Sequence, residues 1–225
     1  IFLCWDTKRR VGDIKPGTRM ASMASGGGGG GGGGGVRTVL DKPLVLRPRG
    51  EVSLSAFAFL FSEMVQYTQE RSQSVDEMQR RLEAQGHRVG HKVYELQCWR
   101  EKQGKGDGKR YNRLIELLTF ISSNVWKQLF GKAADSLERS TEAEDEYMIL
   151  EADPVTNTFV SVPPDMGSLN VAAYIAGIIA GILESAAFPS TVTAITSAPD
   201  EAGNEGTVFL IKFSAEVMER EARLG

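Results

Sequence analysis

The sequence predicts an α+β fold, and three observations carry it. From about residue 53 to about residue 139 the apolar residues recur at helical spacing. After about residue 145 they fall in short runs bounded by proline, asparagine and polar stretches, the mark of strands. Between those strands lies one long apolar helix. The composition fits this reading. The chain has 225 residues, a formal net charge of −3 and 41% hydrophobic residues, which is an ordinary balance for one globular domain with a tail. A nucleic-acid binder would carry a basic stripe instead.

Residues 1–50 are expected to be a disordered N-terminal tail. The sequence begins on Ile1, and Met20 and Met23 are both plausible starts, so part of the stretch reads as upstream of the true one. The apolar stretch Ile1–Trp5 is too short for a signal-peptide core, and its charges follow it. Gly26 to Gly35 is an unbroken run of ten glycines. A phosphate-binding loop needs a preceding strand and a closing Gly-Lys-Ser/Thr; here Val36 and Arg37 follow. The run therefore reads as linker. A single domain is expected over residues 51–225.

The first helix is predicted from about Ser53 to Gln69. Leu54, Ala56, Phe57, Ala58, Leu60, Phe61, Met64, Val65 and Tyr67 cover an arc about 200° wide, while a helix packed on one core needs only somewhat over 100°. The surplus makes this helix the candidate partner-binding surface, with Leu54, Ala56, Phe57, Leu60, Phe61, Met64, Val65 and Tyr67 as its residues. Leu54, Phe61 and Val65 share one edge; Ala56, Leu60 and Tyr67 share the other. One edge is expected to face the core and one a partner. Phe59 intrudes on the narrow polar face.

The second helix opens at Ser74-Val75-Asp76-Glu77, a capping box. Its expected core face is Val75, Met78, Leu82, Val89, Val93 and Leu96. Gly86 and Gly90 share a face and permit close backbone approach. Lys102 to Lys109 reads as a glycine-broken loop. The third helix carries Leu114, Leu117, Leu118, Ile121, Val125 and Leu129, with a short helical continuation over Ala133–Arg139. Strands follow at Tyr147–Leu150, Phe159–Val162, Thr191–Ile195 and Thr207–Phe213. The fourth helix runs from about Leu169 to Ala187. Its apolar run, Val171 to Leu183, is thirteen residues, against about 20 for a membrane span. Gly177 and Gly181 again sit four apart, so it reads as a tightly packed core helix. Glu216–Arg223 is a charged terminal helix or tail.

No catalytic residue, cofactor site or metal site is predicted. His87 and His91 are the only histidines. They sit at i and i+4, but the stretch lacks the glutamate of a zinc protease and no third ligand is evident beyond Glu83 on the same face. They read as a solvated pair. Cys98, beside Trp99, reads as a buried structural thiol, and two distant cysteines fit a reducing compartment. Lys102, Lys105, Lys109 and Arg110 make a small basic cluster, at the low end for attraction to a lipid surface.

Three blocks are distinctive: Glu51–Glu63 (EVSLSAFAFLFSE), Trp126–Glu138 (WKQLFGKAADSLE) and Asn157–Pro163 (NTFVSVP). With Glu144–Ile149 and Phe209–Phe213 they resemble the small subunits of the transport protein particle, TRAPP, over roughly residues 38–225. The resemblance implies a layer of about four helices packed on a four-stranded antiparallel sheet. It implies a non-catalytic scaffold in a vesicle-tethering complex that activates a Rab-type GTPase in endoplasmic reticulum-to-Golgi transport. The implied partners are other TRAPP subunits and, through them, the GTPase and the membrane, at a cytoplasmic, peripheral location. A related subunit carries an acylated cysteine near the junction of its second and third helices. Here that junction has no cysteine, and acylation is not carried over to Cys98. The alternative reading is a small-molecule or lipid-binding domain with an internal apolar channel.

Overall fold

The computed structural model describes residues 52–105, 110–197 and 206–224. The expected N-terminal tail, the end of the glycine-rich loop and most of the polar loop at 197–206 lie outside the described residues.

Helix α1 (Leu54–Glu70) starts where Ser53 accepts a hydrogen bond from the Ala56 N–H at 3.2 Å. Helix α2 (Val75–Lys105) starts on the expected box: Ser74 accepts from Glu77 N at 3.2 Å, and the Glu77 carboxylate accepts from Gln73 N at 2.9 Å. That backbone donor, with Arg81 behind it, holds the Glu77 carboxyl below the usual glutamate range. Helix α2 continues through Lys105, so the loop expected from Lys102 begins later.

Helix α3 (Leu114–Thr119), a π-helical turn (Phe120–Val125) and α4 (Trp126–Phe130) form one continuous run that ends at Gly131, whose φ of 83° is left-handed. The helical continuation expected over Ala133–Arg139 is instead strand β1 (Ser136–Arg139). It is the edge strand, pairing Ser136 with Leu150 and Arg139 with Tyr147 of β2 (Glu146–Glu151). The strand expected at Phe159–Val162 does not form. Both edges of β2 are filled, by β1 and by β4 (Thr207–Phe213). Val160 and Val162 pack against the cluster under α1 instead. Strand β3 (Ser190–Thr196) completes an antiparallel sheet of order β1-β2-β4-β3.

One face of the sheet presents Tyr147, Ile149, Val192, Ala194, Phe209, Ile211 and Phe213, all buried. Against it lie the α3–α4 run and helix α5 (Ala173–Ser185). Up to Leu183 helix α5 is apolar on both sides because both are packed, one by the sheet and the other by α2; only its last turn, Glu184 and Ser185, is polar and exposed. The α2–α5 crossing is made by both glycine pairs. A methyl on Gly86 would land on the Tyr174 carbonyl, and one on Gly90 on the Ile178 carbonyl. Methyls on Gly177 and Gly181 would land on the Glu83 and His87 carbonyls. The two backbones thus touch directly, which only glycine permits.

This crossing also sets which face of α2 is buried. Met78, Leu82, Gly86 and Gly90 form an i, i+4 row that precesses around the helix, and Gln97 ends the buried stripe. Val89 and Leu96, expected in the core, are left on the exposed margin. Helix α6 (Ala215–Leu224) closes the core with Val217. Its Glu221 accepts from Leu114 N at 3.1 Å and pairs with Arg113 at 2.8 Å, anchoring the start of α3.

Candidate partner-binding face

Helix α1 packs on a small core of its own, made with Met78 and Leu82 of α2 and with Leu169 and Val171. Phe61 and Val65 are fully buried there. Phe61 stacks on Phe57 at 5.6 Å and meets Tyr174 at 5.5 Å. These two members of the predicted set are core residues, because α2 and the 160–171 segment cover their side of the helix. Phe57 and Met64 are half-buried at the margin of the same cluster.

The opposite side is open. Leu60 is 71% exposed and Tyr67 51%. With Ala56 and Glu63, both exposed, they fall within about 60° on a 100°-per-residue wheel. Phe59, left out of the predicted set, is also 71% exposed and borders the stripe. Its signal was present in the sequence as an aromatic on the polar side. Leu54 shares its azimuth with Phe61 and Val65, yet it is exposed. It stands in the first turn, before the helix reaches its packing partners. The Arg71 guanidinium lies 3.7 Å from the Tyr67 ring centroid, giving the apolar stripe a cationic end.

Other sequence candidates sort as follows. Trp126 is buried, with its ring edge-to-face on Phe130 and Phe209. Cys98 is half-buried rather than enclosed. It lines an open groove of about 500 Å³ with His91, Tyr94, Glu95, Trp99 and Ser185. An open groove with an imidazole and a carboxylate in its wall is not an internal apolar channel. The side chains of Lys102, Lys105 and Lys109 lie outside the described residues. His87 and His91 are joined by Glu184 of α5, a third donor from across the glycine crossing; all three ligand atoms lie within 4.8 Å of one another. Spacing along α2 could not reveal a group that arrives from another helix.

A helical layer on a four-stranded antiparallel sheet makes this an α+β domain, with one apolar face of α1 exposed. The family model of the transport protein particle (TRAPP) component matches residues 57–214. The chain belongs to this family. Trafficking protein particle complex subunit 5 of Dictyostelium discoideum is 50% identical over 82% of this chain and 96% of its own length. The human subunit 5 is 41% identical over 84% and 94%. Subunit 31 of Saccharomyces cerevisiae is 26% identical over 79% and 81%. The resemblance of the three sequence blocks is therefore to subunit 5 in particular. The solved structure of subunit 3 from Naegleria fowleri, covalently bound to palmitic acid, is similar with a TM-score of 0.58. It is 19% identical, over 72% of this chain and 95% of that one, and the likeness is one of fold.

Proposed function

We propose that the chain is a non-catalytic scaffold subunit of a TRAPP-type vesicle-tethering complex, docking a neighbouring subunit through the outward face of α1. The observation that carries this reading is the exposure of Phe59 and Leu60, at 71% each, on a helix whose other side is buried. Clustered large apolar side chains on a helix face mark interaction sites. Family membership supplies the class of partner, other TRAPP subunits. The assembled complex activates a Rab-type GTPase in endoplasmic reticulum-to-Golgi transport, and the chain reaches those membranes peripherally through its partners. Among the described residues no helix is long and apolar enough to cross a membrane.

Affinity purification of the full-length chain from its own cytosol tests the reading. Other TRAPP subunits should co-purify in fixed ratio, and the recovered complex should accelerate GDP release from a Rab-type GTPase. Recovery of the chain alone, or in a complex without exchange activity, would contradict it. Native mass spectrometry of the same sample tests the lipid alternative, which requires a bound lipid adduct.

A further inference from the structure

The geometry points to a divalent transition-metal site of the zinc class, formed by His87 and His91 of α2 and Glu184 of α5. Glu184 Oε2 stands 2.7 Å from His87 Nε2 and 3.3 Å from His91 Nε2. The two rings meet edge-on, with centroids 4.6 Å apart. One carboxylate oxygen thus faces two imidazole nitrogens, and the donors come from two helices whose backbones are locked by the glycine crossing. Two imidazoles and a carboxylate are a donor set that zinc accepts, with the fourth position of its tetrahedron left to water or to a partner's side chain.

Ser185 supplies the second observation. Its Oγ lies 2.8 Å from the Gly181 carbonyl, which can only accept, so the hydroxyl proton is committed there. The same Oγ lies 2.5 Å from His91 Nδ1, and with its proton on the Gly181 carbonyl it accepts there. That arrangement places the His91 proton on Nδ1, which the nitrogen NMR below reads directly. In the neutral ring this leaves a lone pair on Nε2, aimed at a carboxylate oxygen. The imidazole nitrogens and the carboxylate oxygen can share a proton as an ion pair or bind one metal ion as common ligands, and the titration below separates the two. A metal-bound histidine has this same arrangement, with one nitrogen on the ion and the other donating to an outer partner that fixes the tautomer. The ion would clip α2 to α5 at the mouth of the groove that His91 and Ser185 help to line.

The chain has two histidines and both belong to this cluster, so a metal titration has one imidazole site to report on. Full-length protein without a histidine tag is stripped with a chelator, desalted and titrated with cobalt(II), then zinc. The expected result is one equivalent of cobalt with tetrahedral visible bands, displaced by one equivalent of zinc, and a zinc-dependent rise in Tm. His87→Gln and His91→Gln should each abolish the bands while leaving the metal-free Tm near wild type, and Glu184→Gln should weaken binding tenfold or more. Cys98→Ser should retain them. Long-range proton–nitrogen NMR gives a readout that does not depend on the variants: zinc should shift Nε2 of both rings, with His91 protonated on Nδ1. Absence of a saturable band at micromolar cobalt overturns the proposal. So do bands that survive the histidine substitutions, or a neutral His91 protonated on Nε2.

Discussion

The Trp126 indole N–H donates to the Glu151 carboxylate at 2.8 Å, joining the first residue of α4 to the last residue of β2. Glu151 is 3% exposed, and its other oxygen pairs with the Lys132 ammonium, which reaches in from solvent. A buried charge is tolerable only when paired and hydrogen-bonded, so these three residues act as one unit.

Trp126→Ala should therefore unfold or severely destabilise the domain, at a cost of about 3–5 kcal/mol. Trp126→Phe keeps most of the ring contacts with Phe130 and Phe209 but strands one carboxylate oxygen. It should cost about 1–3 kcal/mol. Urea unfolding of both variants checks the order. Equal stability of Trp126→Phe and wild type would show that the hydrogen bond contributes nothing.

Lys132 gives a pH signature. The hydrogen-bonded Glu151 carboxylate raises the Lys132 ammonium above the ordinary lysine range. A raised folded-state value means a stabilisation fully present below the unfolded value and lost as pH rises through the folded one. Lys132→Met should thus lower Tm at pH 8, because it leaves the buried Glu151 carboxylate without its ion pair. The gap to wild type should close above about pH 10.4. A gap that stays constant to pH 11.5 would refute the charge-based account.

The glycine crossing predicts a contrast between positions. Gly177→Ala would drive a methyl into the backbone of Glu83 and His87, costing about 3 kcal/mol or more. Gly131→Ala meets open space and suffers only from its positive φ, about 1–2 kcal/mol. Thermal melts of the two variants should rank in that order. The reverse ranking would mean that α2 and α5 are not in backbone contact.

Much of this was legible in the sequence. The capping box at Ser74, the Leu114–Val125 stripe and strands β2, β3 and β4 follow from local pattern. Strand β1 was not. Its composition, Ser-Leu-Glu-Arg after two alanines, favours helix locally, and pairing with β2 overrides it. The stripe on α2 was misread at Val89 and Leu96 because the contact row there is glycine, which leaves no apolar signature. On α1 the excess of apolar surface was visible, but the division between core and outward face was not. It depends on where Met78, Leu82 and the 160–171 segment lie. The third member of the histidine cluster, Glu184, was hidden for the same reason, since only the crossing of α2 and α5 brings it near.

In the proposed scaffold α1 divides into a core side and a docking side, and a pair of adjacent charge substitutions tests that division directly. Leu60→Asp and Phe61→Asp are each made in the full-length chain, then compared by Tm alone and by recovery of the complex from cells. Leu60 is exposed, so its substitution should change stability by no more than about 0.5 kcal/mol while the chain drops out of the complex. Phe61 is buried, so its substitution should unfold the isolated chain. A Leu60→Asp chain that is folded and still fully assembled would contradict the account and move the interface elsewhere.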